Sequence, residues 1–216
     1  MKYDTIIFDL DGTLLNTLDD LHDSVNYALE KNALGLRSLD EIRRFVGNGV
    51  RKLIKRAVPE GTDNEMYEAD YADYERHYDK NCRNKTAPYD GVTDLLAALK
   101  ERGLKLAIVS NKIDFAVQNL RKEFFADVVE VAVGDSDDTE NKPAPDMVFK
   151  ALRALGSDGK KAIYVGDSEV DMKTAENAGM ECISVSWGFR SRSELISYGA
   201  QIIADTPEEV FNICTM

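Results

Sequence analysis

Short apolar runs alternate with helical patterns along most of this chain, and that rhythm restricts the fold more than any single residue does. The runs Thr5–Phe8, Leu106–Val109, Val128–Val133, Ala162–Val165, Cys182–Val185 and Gln201–Ala204 read as strands. Between them the spacing predicts helices near Val92–Arg102, Phe115–Lys122, Asp146–Leu155, Val170–Ala178 and Ser193–Tyr198. Most of these helices run into a glycine (Gly103, Gly156, Gly179, Gly199), the residue at ease in the left-handed position past a helix end. Such alternation implies an α/β fold, with a mainly parallel sheet and helices on both faces.

Residues 15 to about 88 break the rhythm and contain no convincing strand. Leu21, Val25, Ala28 and Leu29 fall on one helix face, Val50, Leu53, Ile54 and Ala57 on another, and Tyr67, Tyr71, Tyr74 and Tyr78 make a third stripe. A small all-helical domain, 15–88, is therefore expected as an insert after the first strand, leaving 1–14 and 89–216 as the α/β core. Pro88 and Gly91 suit a hinge at its exit. The tyrosine stripe is expected to be a packed face rather than a base-stacking platform.

Composition excludes several functions. The net charge of −12 argues against a broad basic surface for nucleic acid. No run of about 18 apolar residues exists to span a membrane, and no secretory leader is evident, so a cytoplasmic protein, monomer or homodimer, is expected. Cys82, Cys182 and Cys214 have neither metal-ligand nor redox spacing and read as free thiols. His22 and His77 are too few for a zinc site. The acidic run GDSDDTE lacks the ligand spacing of a calcium loop and reads as solvated.

Polar residues gather after the strands. DLDGT follows the first, SNK the second, KPAPD comes beyond the third, and GDSEVD follows the fourth. In an open α/β sheet, ligands bind outside the carboxyl ends of the strands. Each set alone has a structural reading, as a turn or a helix cap. Together they leave unexplained why polar groups collect at one edge. Asp9 and Asp11, two apart on an extended chain, can face one pocket, and Gly12 allows the turn that follows. Asp9 with Asp167 makes the all-oxygen cluster that Mg²⁺ prefers. Lys142 and Ser110 add positive charge and a hydroxyl, completing what phosphoryl transfer needs. On this reading the strand does not bury its aspartates; it delivers them to the open edge.

The four motifs in this order resemble those of the haloacid dehalogenase-like superfamily, over essentially the whole chain. The stretches FVGNGVRKLIKRA and YDGVTDLLAALKERGLKLAIVSNK are similar to phosphoglycolate phosphatases. The resemblance implies a Rossmann-like core with a helical cap. It implies that Asp9 is the nucleophile and Asp11 the general acid and base. Mg²⁺ would be held by Asp9, the Asp11 backbone carbonyl and Asp167, with Ser168 and Asp171 acting nearby. Ser110 and Lys142 would bind the transferring phosphoryl group, helped by Gly12, Thr13 and Asn111. True dehalogenases lack the second aspartate, which Asp11 supplies here. Asn16 stands where relatives often carry an acid.

In the insert, Gly47, Asn48 and Gly49 precede a helix carrying Arg51. This start, with Arg51, could bind the carboxylate or other distal group of a small substrate; a surface loop and a solvated basic helix is the plainer alternative. The expected activity is a Mg²⁺-dependent phosphomonoesterase on a small phosphorylated metabolite, 2-phosphoglycolate first. The alternatives are a β-phosphoglucomutase-like mutase, a pyrophosphatase or nucleotidase, and a non-catalytic metabolite-binding protein.

Overall fold

A computed structural model describes residues 2–216. It begins with β1 (Thr5–Phe8), a tight turn and the two-residue β2 (Leu15–Asn16). Four helices follow: α1 (Leu18–Lys31), α2 (Leu39–Phe45), α3 (Val50–Ala57) and α4 (Tyr67–Asn81). The chain returns through β3 (Ala87–Pro88), α5 (Val92–Glu101), β4 (Lys105–Ile113), α6 (Asp114–Phe124) and β5 (Val131–Asp135). It continues through α7 (Asp146–Ala154), β6 (Ala162–Gly166), α8 (Glu169–Asn177) and β7 (Glu181–Val185). The last elements are α9 (Arg192–Ser197), β8 (Ile202–Ala204) and α10 (Pro207–Thr215).

The six longer strands form one parallel sheet in the order β5-β4-β1-β6-β7-β8. Its side-chain period of two splits the strands between two apolar layers. Ile6, Phe8, Leu106 and Ile108 pack on one face with Leu96 of α5, and Ile7, Ala107 and Val109 pack on the other with Met147 of α7. Strand β1 sits in the middle, where the order reverses, so the crevice of such a sheet opens beyond its carboxyl end. Helices α1, α3 and α4 surround a separate apolar cluster that includes Leu21, Val25, Leu29, Ile54, Tyr74 and Tyr78. The tyrosine stripe is thus largely a packed face, with Tyr71 only partly covered.

Two details differ from expectation. The insert is not free of strands: β2 and β3 pair antiparallel, Leu15 opposite Pro88 and Asn16 opposite Ala87. Two residues are too few to show alternation. The third core strand also starts later than Val128. The Val129 N–H bonds to the Phe125 carbonyl, and the Val129 carbonyl accepts from Arg121 Nε at 2.8 Å, so both close the end of α6 and the ladder begins at Val131.

Buried Asp20 of α1 fastens the returning chain. Its carboxylate accepts from the Lys85 N–H at 3.0 Å, the Thr86 N–H at 2.9 Å and the Thr86 hydroxyl at 2.8 Å. Both stems of the insert are therefore held side by side.

Asp70 of α4 is less well served. It is buried, and among the described residues one carboxyl oxygen receives only Asn32 Nδ2 at 3.5 Å and the other has no partner. Burial pushes its carboxyl from an ordinary 3.8 up to about 6, against the Asn32 hydrogen bond and with Asp73 adding to the rise. A carboxyl raised by folding contributes stability that is full below the unfolded value and is lost as pH climbs through the folded one. Asp70→Asn imitates the protonated form. The Tm of this variant minus that of the parent should grow between about pH 4 and pH 6 and then level off. A flat difference in thermal melts across that range would contradict the account.

Candidate active site

The end of β1 is where charge concentrates. Lys142, from the loop before α7, donates through Nζ to Asp9 Oδ1 at 2.7 Å and to Asp171 Oδ1 at 2.8 Å, with the Tyr164 hydroxyl at 3.2 Å. Burial works against the lysine's charge, but Asp171 and Asp9 outweigh it and hold its pKa well above the ordinary value. For Asp9 the balance runs the other way: burial raises its pKa, Asp171 adds to the rise, and Lys142 offsets only part. The expectation of aspartates at an open edge needs correcting. Asp9 is only 7% exposed and the Asp11 side chain 13%. Residues of α1, α3 and α4 roof the same cavity, so the sheet edge is covered.

Asp167 stands beside this pair at the end of β6. Its Oδ2 accepts from the Phe189 N–H at 2.6 Å, and Thr13 Oγ1 donates to Oδ1 at 3.4 Å. Gly12 is required here, because its φ is +90° and a Cβ would lie 2.5 Å from Asp167 Oδ2. Gly188 presses in from the loop after β7, where a Cβ would meet Asp167 at 2.4 Å. One oxygen each from Asp9, Asp167 and Asp171 lie within 4.8 Å of one another. Three buried carboxylates face a single lysine, and burial, then Asp171 and Asp9, push the Asp167 pKa well above normal. This all-oxygen set, short of positive charge, fits a hard divalent cation. Asp171 is the most committed of the three, since its Oδ2 also accepts the Ser168 N–H at 3.1 Å and hydroxyl at 2.6 Å. Asp9 Oδ2 accepts no hydrogen bond from any described residue and Asp167 Oδ1 only the long one from Thr13, which leaves these two freer than Asp171 to take a cation.

Asp11 is held apart from this cluster. Its Oδ1 accepts from Thr17 Oγ1 at 2.6 Å and from Lys112 Nζ at 2.8 Å. Lys112 is buried and also donates to the hydroxyl of Tyr78, on α4, at 2.7 Å. Burial opposes its charge, and Asp11 more than restores it, leaving the pKa raised. Within SNK, Lys112 carries no role that the sequence alone assigns. The available signal was a lysine just after two residues already assigned to the site. Residues 110–112 leave the ladder, because Val109 pairs with Val133 but Ile113 next pairs with Asp135. Such a bulge re-aims side chains beside a site.

A cavity of about 210 Å³ joins these groups and is lined by Asp9, Asp11, Ser110, Asn111, Lys142, Gly47 and Gly49 among others. Gly12 and Thr13 lie beside Asp167, away from its lining. Asn111 reaches the cavity with its amide already engaged: Oδ1 accepts the Lys142 N–H at 2.7 Å, and Nδ2 donates to the carbonyls of Lys142 at 3.0 Å and Gly47 at 3.2 Å. It positions the lysine loop, where a direct hold on the phosphoryl group was expected. Asn48 does not line the cavity. Nor does Arg51, whose guanidinium donates to both oxygens of Glu68 at 3.0 Å and lies 3.9 Å from the Tyr71 ring centre. Its local carboxylate and aromatic partners compete successfully for it. Among the described residues, no helix is long and apolar enough to cross a membrane.

Comparison with known proteins gives a consistent picture. The family model for haloacid dehalogenase-like hydrolase matches residues 6–185. The phosphoglycolate phosphatase of Mesorhizobium japonicum is 34% identical over 207 residues, covering 89% of this chain and 86% of the relative. The N-acetylmuramic acid 6-phosphate phosphatase of Pseudomonas aeruginosa is 30% identical over 217 residues, covering 99% and 95%. Among solved structures, a Lactobacillus delbrueckii subsp. bulgaricus protein provisionally assigned as a phosphoglycolate phosphatase superimposes with a TM-score of 0.94 at 35% identity, covering 99% of each chain.

The acidic cluster predicts a measurable metal response. A ligand at 100 times its Kd adds about 2.7 kcal/mol, and a chain of this size gains roughly 2–4 °C per kcal/mol. Saturating Mg²⁺ should therefore raise Tm by roughly 5–10 °C, EDTA should reverse the rise, and Asp167→Asn should remove most of it. Calorimetry showing no shift at millimolar Mg²⁺ would count against a metal site here.

Proposed function

Because the chain belongs to the haloacid dehalogenase-like hydrolases, we propose that it is a Mg²⁺-dependent phosphomonoesterase acting on a small phosphorylated metabolite through an aspartyl-phosphate on Asp9. One observation carries the reading: two aspartates two residues apart stand in different environments. Asp9 shares a buried lysine with Asp171 beside a third carboxylate, whereas Asp11 is bound by Lys112 and Thr17 at the cavity wall. Paired carboxylates in unlike settings are what separate an attacking group from a proton-transferring one. The names of the relatives put 2-phosphoglycolate first among individual substrates. One relative of nearly equal identity is instead named for N-acetylmuramic acid 6-phosphate, so identity does not choose between them.

In this mechanism Asp9 attacks phosphorus, and the bond from phosphorus to the ester oxygen breaks. Asp11 gives its proton to the departing oxygen, releasing the alcohol. The Asp11 carboxylate then takes a proton from water, whose oxygen attacks the aspartyl-phosphate; inorganic phosphate leaves and Asp9 is restored. Lys142 neutralises Asp9 and meets the phosphoryl charge, and Ser110 offers a hydroxyl. Asp9, Asp167 and the Asp11 backbone carbonyl would hold Mg²⁺, which when bound would supply the positive charge that lets an anionic ester approach a carboxylate. The helices of 15–88 act as a cap over a core made of 1–14 and 89–216, and their closure excludes water from the reacting groups.

With Mg²⁺ the protein should release phosphate from an aryl phosphate, and EDTA should stop it. Asp9→Asn should lose at least about a thousandfold in kcat, and Asp11→Asn about 10²–10⁴-fold. Near-parental turnover by Asp9→Asn would rule out the covalent route. Conversion of a sugar phosphate without net phosphate release would point to a mutase.

Lys112→Met should lower kcat by roughly tenfold or more, since Asp11 loses its charged partner. Tyr78→Phe, which leaves the lysine in place, should cost less. Steady-state kinetics on the same aryl phosphate would check both, and an unchanged kcat for Lys112→Met would remove the lysine from the account.

A further inference from the structure

Residues 187–190, in the loop after β7, lie outside the four motifs, yet they meet both the catalytic floor and the insert. Trp187 Nε1 donates to the Thr13 carbonyl at 3.0 Å. Gly188 packs so tightly that a Cβ there would lie 2.3 Å from the Gly12 carbonyl oxygen. The Phe189 N–H holds Asp167 Oδ2, while the Phe189 side chain is buried in the apolar cluster of the insert. Arg190 comes next and is only 6% exposed.

Every nitrogen of the Arg190 guanidinium is engaged. Nε and Nη2 donate to the two carboxylate oxygens of Glu169 at 3.0 and 3.2 Å. Nη1 donates to the Arg43 carbonyl at 3.1 Å, and Nη2 also to the Val46 carbonyl at 3.3 Å. These carbonyls belong to the last turn of α2 and the residue after it, where a helix leaves its carbonyls without intrahelical partners. Glu169 opens α8, two residues after Asp167. One side chain therefore joins the insert to the segment that carries Asp167 and Asp171.

What Arg190 holds is the wall of the cavity. Val46 and Gly47 line it, and the Gly47 carbonyl is held in turn by Asn111 from β4. Arg190 does not line the cavity itself, so it acts through the backbone of 43–47 and touches no reacting group. Without it, two carbonyls would face the core loop with no donor. Leaving them unpaired favours a displacement of the insert that lets water reach them. The insert packs around its own apolar cluster, so its helices do not need Arg190 to stay together. A lysine would keep a charge beside Glu169 but lacks the planar fork that reaches all four acceptors.

We propose that Arg190 is a positioning residue that docks the helical insert onto the core and sets the cavity wall at Val46 and Gly47 against the catalytic floor. Its effect on turnover rests on the phosphatase reading above; the docking does not. When the docked fraction falls, apparent affinity for substrate falls with it. Bound substrate draws the insert back, so the loss is carried by KM more than by kcat.

Arg190→Met and Arg190→Lys test this by two separate readouts. In hydrogen–deuterium exchange, segments 43–50 and 108–113, which meet across the joint, should exchange at least about threefold faster in both variants. Segment 22–29, inside the insert's own cluster, and segment 162–166, in the sheet, should stay near parental. With p-nitrophenyl phosphate and Mg²⁺, KM should rise at least about threefold, with kcat within about threefold of parental. Unchanged exchange at 43–50 would overturn the proposal. So would equal acceleration at 22–29, which would make Arg190 a general stabiliser of the fold. A fall in kcat at constant KM would overturn its docking role in turnover, and full recovery by Arg190→Lys would overturn the need for the fork. A parent protein that hydrolyses no phosphate ester would remove the phosphatase reading, and the exchange comparison would still decide the docking.

Discussion

The buried ammonium of Lys142 is what allows the rest of the site to exist. Asp9, Asp167 and Asp171 converge from the ends of two neighbouring strands and the helix after the second, and all are nearly sealed from water. Without a cation among them, that many carboxylates could not stay ionised together. Lys142 binds two of them at 2.7 and 2.8 Å, and its own loop is fixed through the Asn111 side chain. One cation against three anions is still a deficit. The fold thus holds part of the charge balance in place and leaves a remainder that a hard divalent cation would suit.

A second lysine does for Asp11 what the first does for Asp9, but it reaches across the molecule. Lys112 comes from the bulge in β4, while its other partner, the Tyr78 hydroxyl, comes from α4 in the insert. The hydrogen bond from Asn111 to the Gly47 carbonyl makes a further link. The covering helices are therefore tied into the catalytic floor through hydrogen bonds to residues that position Asp11 and Lys142. Placement of the helices and placement of Asp11 are coupled through Lys112.

The core strands were legible because buried parallel strands are short, apolar and bounded by turns; Thr5–Phe8 was read residue for residue. The four motifs stood out because polar groups directly after apolar strands have few structural uses in common, and the structure brings Asp9, Asp11, Ser110 and Lys142 to one cavity. What escaped was information carried by long-range geometry. Nothing local marks β2 and β3, whose pairing lies beside the bonds from Lys85 and Thr86 to Asp20, some 65 residues away. Lys112 looked like an ordinary lysine until a tyrosine from the insert met it. Gly188 and Phe189 secure Asp167 from a loop that none of the four motifs includes. Arg51 is the opposite case: a basic residue at a helix start looks poised for an anion, and its Glu68 partner is visible only in the structure.

The central position of β1 has a consequence for how the protein comes into being. Thr5 must pair with Lys105 on one side and with Ala162 on the other. During synthesis the strand that carries Asp9 is made before either partner, so one of its edges stays bare until β4 is made and the other until β6. The helices of the insert need only each other's sequence-near surfaces, so they can gather while β1 waits. A strand edge left bare while the chain grows is thus the one that ends in the residue expected to attack phosphorus. Its four-residue length, bounded by Asp4 and Asp9, limits what such an edge can recruit in the meantime.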